Sequence, residues 1–287
     1  MKIIKAVGGL GSQMFAYALY LSLKAKYGSK ERVVFDTSSF EDHEQHNGYE
    51  LVRLFNTHSS QATSFEKEIA RNERFLYRKI RKLFFQVIDA KHRNYNYDER
   101  TLTDRSAVYN QVWTSWRYFE SCESLVKSTF KFPELTEHKN LEVLKKIQTT
   151  DSIAIHVRRG DYLTSPALNG LAPLSYYREA IDHIKEKVNS PTFFVFSDDI
   201  AWCREHLELD SVVYIDWNTK ADSYRDMQLM SLCKHNIIPN STFSWWGAYL
   251  NSNSDKIVIC PEKWGNASQG IEFKDMNYPG WVVRKNT

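Results

Sequence analysis

Between residues 153 and 259 the chain alternates short apolar runs with amphipathic stretches, and this alternation restricts the fold more than any other feature. The runs 153–157, 192–196, 212–215, 236–238 and 256–259 have strand length and too little polar content to keep one face wet. Between them, 175–188, 200–206, 221–233 and 243–250 carry apolar residues at helical spacing. Strict alternation of strand and helix predicts a parallel, doubly wound α/β sheet, because parallel neighbours need a crossover connection. Ligands of such sheets bind beyond the carboxyl ends of the strands, so the residues that follow each run are the ones to read for function.

Each of these positions holds a polar group that suits a nucleotide sugar. The first run leads into His156, Arg158 and Arg159, then a turn at Gly160 and the carboxylate of Asp161. A guanidinium is always charged and its planar fork matches phosphate oxygens bidentately, so adjacent arginines here suggest a diphosphate site. Taken alone, the same residues also suit a surface ion-pair cluster. Asp198 and Asp199 follow the second run, and Asp226 lies further on. These carboxylates can accept hydrogen bonds from the guanine edge or from ribose, or serve as caps and solvated groups. Asn240, Ser241 and Thr242 precede Phe243 at a helix start, where free N–H groups and the helix dipole attract phosphate and where a hydroxyl residue can equally be an N-cap. Trp245 and Trp246 read as core.

The first half opens with one βαβ unit: strand 2–7, helix 13–27, and strand 32–35 delivering Asp36 to its tip. The turn holds Gly9, Gly11, Ser12 and Gln13, and it imitates a dinucleotide fingerprint until Met14 stands where the third glycine belongs. It is either a tight turn or a close backbone approach to a ligand shared with the other domain. Residues 64–91 read as one long basic amphipathic helix, either a domain helix with a solvated face or a surface that lies on anionic lipid. Strand 107–113, helix 119–130 and a polar stretch at 131–140 with Pro133 follow. The expected domains are 1–147 and 148–264, with a tail 265–287 packed back through Trp281.

With 287 residues there is room for two full cores. A net charge of +3 accommodates an anionic small molecule, but the aromatics are not interleaved with Lys and Arg in any basic stripe, so nucleic acid is not expected as a partner. The four cysteines, Cys122, Cys203, Cys233 and Cys260, have no metal-ligand spacing and read as reduced thiols. With no signal-like or membrane-spanning segment, the reading is a cytoplasmic protein, with membrane-peripheral contact through 64–91 as an addition. No Asp-x-Asp occurs, so no metal site is expected, and positive charge for a diphosphate falls to Arg158 and Arg159. One such pair at 4 Å is worth roughly 4 kcal/mol at an effective dielectric near 20.

GGLGSQMF near the start, HVRRGDY, FSDD, the run from Asp226 through CKHNIIPNSTFSWWGAYL, and PEKW at 261–264 together resemble the inverting α1,2-fucosyltransferases of glycosyltransferase family 11. The resemblance spans nearly the whole chain. It implies a GT-B fold of two Rossmann-like domains facing across a cleft, GDP-fucose as donor, a galactose-terminated glycan as acceptor, and no metal or other cofactor. It also implies that Arg158 holds the leaving diphosphate with His156 beside the donor, that Asp226 recognises guanine, and that Ser241, Thr242 and Phe243 line the phosphates. The family usually carries Asn and a second Gln where this chain has Ser12 and Ala16, and Ser lacks the paired donor and acceptor of an amide. The expected reaction needs a general base, for which Asp161 and His156 are candidates, Asp161 being equally suited to brace an arginine. Asp36, Asp42 and Glu44 enter from the acceptor side. The competing readings are a dinucleotide-dependent oxidoreductase built on GGLG and Asp36, and a non-catalytic nucleotide or glycan binder.

Overall fold

The computed structural model describes residues 1–41, 47–71, 73–93 and 95–286. They form two α/β units, Met1–Pro133 and Glu134–Thr287. The first contains β1 (Lys2–Lys5), α1 (Leu10–Tyr27), β2 (Val33–Asp36), α2 (Leu51–Phe55), α3 (Ser64–Arg71), α4 (Phe75–Phe84), β3 (Gln86–Asp89), β4 (Ala107–Asn110) and α5 (Glu123–Thr129). Its four strands pair in parallel in the order β2-β1-β4-β3.

The expected single helix over 64–91 is instead two helices and a strand. Phe85 turns extended at φ −130° and ψ 140°, which ends α4. Val87 and Ile88 then pair with Val108 and Tyr109. Two β-branched residues beside an open strand edge gain ladder hydrogen bonds that a continuing helix would deny them.

The second unit contains α6 (His138–Thr149), β5 (Asp151–Val157), α7 (Leu174–Lys187), β6 (Pro191–Ser197), α8 (Ile200–His206), β7 (Val212–Ile215), α9 (Tyr224–Leu232), β8 (His235–Ile237), α10 (Thr242–Leu250), β9 (Val258–Pro261) and β10 (Val282–Arg284). The order β10-β9-β8-β5-β6-β7 is parallel throughout, the doubly wound arrangement that strand-helix alternation implied. The division falls before α6, not at 147/148, because α6 packs on β5 and α9.

Continuous apolar runs put side chains on both faces of this sheet. Ile153, Ile155 and Val157 pack with Tyr176, Tyr177 and Ile184 on one side. Ala154, Phe194 and Phe196 pack with Leu229, Met230, Val143 and Ile147 on the other. Burial of both faces is what a central parallel strand requires. Helix α10 is buried over most of its surface, and its Gly247 lets α9 approach so closely that a methyl group there would meet Met230 Cβ at 3.1 Å.

The tail contributes β10, whose Val282 and Val283 pair with Ile259 and Cys260, and it lays Trp281 5.5 Å from the Trp245 ring. Cys203, Cys233 and Cys260 are buried free thiols and Cys122 is a half-buried one. Among the described residues no helix is long and apolar enough to cross a membrane.

Candidate active site

In the second unit the chain leaves β5 for β6 on one side and later returns to place β8 on the other. The carboxyl ends of β5 and β8 therefore flank a topological switch point, the place where an open α/β sheet offers a crevice to ligands. The HVRRGDY turn leaves β5 at this point, and residues 238–241 leave β8.

Arg158 is held there by two carboxylates, with Nη2 2.7 Å from Asp161 Oδ1 and Nη1 3.0 Å from Asp198 Oδ2. About a third of its side chain remains exposed, so the guanidinium is positioned yet accessible. Asp198 is fixed twice, because its Oδ1 also accepts from the Arg159 backbone N–H at 2.9 Å. Arg159 in turn donates through Nε to Asp199 Oδ2 at 3.1 Å and lies over the Trp202 ring, 4.2 Å from its centroid. Asp199 caps α8 by accepting from the Trp202 N–H at 3.1 Å. That backbone bond and the Arg159 guanidinium hold its carboxyl below the usual carboxylate range. Asp198 and Asp199, read from sequence as acceptors for guanine or ribose, are thus engaged in fixing the two arginines.

Gly160 makes this arrangement sterically feasible, since a Cβ at that position would lie 2.7 Å from Asp198 Oδ2. Gly160→Ala is expected to push the Asp198 carboxylate off Arg158 and weaken binding of a diphosphate probe at this arginine by about 10- to 100-fold, the range for losing a hydrogen bond to a charged group. Calorimetric titration of the purified variant checks this.

His156 is buried beneath the arginines, its ring centroid 5.7 Å from that of Phe243. Burial, reinforced by the Arg158 charge, holds its pKa well below the ordinary histidine value, so the imidazole is neutral at physiological pH. Its Nδ1 and the buried Asn240 Oδ1 have no hydrogen-bond partner among the described residues. Two such atoms at one sheet edge are what a polar ligand would satisfy. Tyr162, which sequence reading quoted but gave no role, donates to the Asn240 carbonyl at 3.1 Å and sits under Arg158, 5.7 Å from centroid to guanidinium. Burial raises its hydroxyl pKa to about 12, so it stays a neutral donor. Ser241 and Thr242 stand at the start of α10, where Ser241 makes no side-chain cap bond.

Asp226, in the first turn of α9, belongs to the same sheet edge but to a separate polar group. Its Oδ1 accepts from Asn218 Nδ2 at 2.8 Å, Asn218 and Asn140 exchange amide bonds of 2.9 and 3.1 Å, and Trp217 Nε1 donates to Asn140 Oδ1 at 2.9 Å. Burial raises the Asp226 pKa to about 7, only partly offset by the Asn218 bond. Asn140, Trp217 and Asn218 were missed from sequence: Trp217 and Asn218 stand in the stretch between β7 and α9, and only the packing of α6 against α9 adds Asn140.

The remaining candidates lie in the first unit. Gly8, at φ 76°, makes the turn, and Gly9, Gly11, Ser12 and Gln13 begin α1. Gln13 is fully buried and spends its amide on backbone, donating to Gly8 O at 3.0 Å and Gly48 O at 2.9 Å and accepting from the Glu50 N–H at 3.0 Å. Here it braces the turn, with both amide hydrogens and one oxygen lone pair committed to backbone, at a position that the sequence suggested for donor binding. Asp36 is 1% exposed and closes a local turn by accepting from the Ser38 N–H at 3.0 Å. Asp42 and Glu44 lie outside the described residues. No group of three or more potential metal ligands gathers among the described residues.

A model of glycosyl transferase family 11 matches residues 4–285. The chain belongs to this family. Like the rest of family 11 it is a glycosyltransferase, and its two parallel-sheet units are of the GT-B type. An alpha-1,2-colitosyltransferase from Escherichia coli is 31% identical over 275 residues, 91% of this chain and 91% of its own. The O-antigen biosynthesis glycosyltransferase WbnK, also from Escherichia coli, is 33% identical over 282 residues, 90% of this chain and 92% of its own. Among solved structures, NodZ alpha-1,6-fucosyltransferase soaked with GDP-fucose superposes with a TM-score of 0.52 at 16% identity, covering 87% of this chain and 91% of that one, a likeness of fold.

Proposed function

We propose that this protein transfers L-fucose from GDP-fucose to the 2-hydroxyl of a terminal galactose on an oligosaccharide or glycan, forming an α1,2 linkage with inversion and without a metal ion. The observation that carries this reading is Arg158, about one-third exposed and doubly braced at the switch point of a parallel sheet. In a single displacement the acceptor oxygen bonds to C1 of fucose as the bond from C1 to the phosphate oxygen breaks, and GDP leaves with the added charge. Arg158 faces that charge, Arg159 supports it, and the N–H groups at the start of α10 beside Ser241 and Thr242 add partial positive charge. His156, Asn240 and Phe243 line the donor.

The two carboxylates on Arg158 are unequal. Asp198 is anchored through both oxygens, whereas Asp161 is 56% exposed and holds Arg158 through Oδ1. An arriving diphosphate displaces Asp161 more easily, and that leaves a carboxylate free to take the proton of the acceptor hydroxyl. His156 is a poor base because burial and Arg158 resist its protonation.

Asp226 accepts from the N1–H and N2–H₂ edge of guanine in this reading, which requires the ionised carboxylate. With its pKa raised to about 7 by burial, the ionised form is lost as pH falls through that value. GDP affinity should therefore weaken from pH 8 to pH 6 in calorimetric titrations, and Asp226→Asn should bind more weakly at both and lose the pH dependence.

Incubation with GDP-fucose and a panel of galactose-terminated oligosaccharides in EDTA, with linkage analysis of the product, tests the reaction. An α1,2-fucosylated galactoside is expected, and no turnover of any acceptor would overturn it. A colitose donor belongs in the same assay, given the colitosyltransferase relative. Exclusive use of that donor would retain the nucleotide site and refute fucose as the sugar.

A further inference from the structure

Helix α4 leaves most of its apolar side chains in solvent. Its Phe75, Leu76, Leu83 and Phe84 are 78%, 62%, 65% and 67% exposed, while the buried residue is Arg81. Arg81 reaches inward, donating to Ile69 O at 3.0 Å and pairing with Glu73 Oε1 at 2.6 Å. A surface helix ordinarily buries its apolar stripe and wets its charged one. Phe65 of α3 extends the apolar face, 58% exposed with its ring 6.5 Å from that of Tyr77. Of the 12 exposed large hydrophobic residues among those described, six lie between 65 and 87, so this is a patch and not the usual scatter.

At 100° per residue, Phe75, Leu76, Leu83 and Phe84 share one side of the helix. Arg74, Arg78 and Lys82 fall together along one flank, with Lys82 next to Phe75, and Lys79 stands among the apolar residues, all exposed. An apolar face bordered along one side by basic residues matches the boundary between acyl chains and anionic headgroups. A second copy of the same face would set these cations against each other, which disfavours self-association. We propose that α4, with Phe65 of α3, seats this protein on an anionic phospholipid bilayer. The inference stands on the first unit alone and is independent of the donor assigned above.

Co-sedimentation with phosphatidylcholine vesicles, with and without phosphatidylglycerol, tests it. The full chain should bind the anionic vesicles and leave the neutral ones, with binding falling as salt rises. Lys79→Ala/Lys82→Ala should weaken partitioning about thirtyfold, since each basic residue near an anionic surface contributes about a factor of five. Leu83→Gln/Phe84→Gln should weaken it on the order of a hundredfold, from the apolar area kept in water. All four side chains are exposed, so melting temperatures should not change. Equal binding to neutral vesicles, no binding to either kind, or full binding by both variants would overturn the proposal. So would a concentration-dependent dimer that Leu83→Gln/Phe84→Gln abolishes, because a second copy would then cover the face.

Discussion

Arg158→Ala is expected to lower kcat/KM for transfer from GDP-fucose by about a thousandfold, at the upper end of what removing one preorganised donor to a developing oxyanion costs. The loss has two sources. The guanidinium no longer meets charge that grows as the phosphate departs, and Asp161 and Asp198, now without the cation between them, repel the incoming diphosphate. Arg159 cannot substitute, because Asp199 and the Trp202 ring hold it away from that position. Arg158→Lys should recover only part of the activity, since one ammonium cannot span both carboxylates and still present a fork to phosphate. Steady-state kinetics with varied donor checks this. A fall in kcat as well as in kcat/KM identifies an interaction made in the transition state.

The largest effect on stability is expected at Trp245. Its ring is fully buried, stacked on Tyr249 at 4.9 Å, edge-on to Trp246 at 5.1 Å, and 5.5 Å from Trp281 of the tail. Its Nε1 donates to the Met276 carbonyl at 2.7 Å, which ties the stretch before β10 to α10. Trp245→Ala opens a large cavity and leaves that carbonyl unpaired, at a cost of about 3–5 kcal/mol. The melting temperature should fall by on the order of 10 °C, at roughly 2–4 °C per kcal/mol for a unit of this size. Trp245→Phe keeps much of the packing but not the hydrogen bond and should fall between the two, as differential scanning calorimetry would show.

The second unit was readable because its information is local. Ile153 to Val157 announce a buried strand by being apolar without alternation, and the residues just after each strand are the ones a sheet edge exposes. Thus Arg158, Arg159, Asp161, Asn240 and Ser241 could be nominated before any contact was known. What Asp198 and Asp199 touch is not local. The Arg159 N–H that Asp198 accepts is 39 residues away and the Arg159 side chain that Asp199 accepts is 40 away, and only the pairing of β5 with β6 brings them there. The bracing bonds of Gln13 were not legible for the same reason, since the Gly48 carbonyl it donates to and the Glu50 N–H it accepts from belong to a distant loop. In the first unit helical periodicity misled where Val87 and Ile88 joined a sheet edge, and the outward apolar face of α4 runs against the rule that periodicity relies on.

The central claim is that a GDP-sugar is held by its diphosphate on Arg158 with no metal between them. Titration of GDP into the wild type and into Arg158→Ala, both in EDTA, tests it most directly. The wild type should bind, and the variant should bind at least about tenfold more weakly, the cost of losing a charged hydrogen bond. Binding by the wild type only after Mg²⁺ or Mn²⁺ is restored, or equal binding by both proteins, would contradict it.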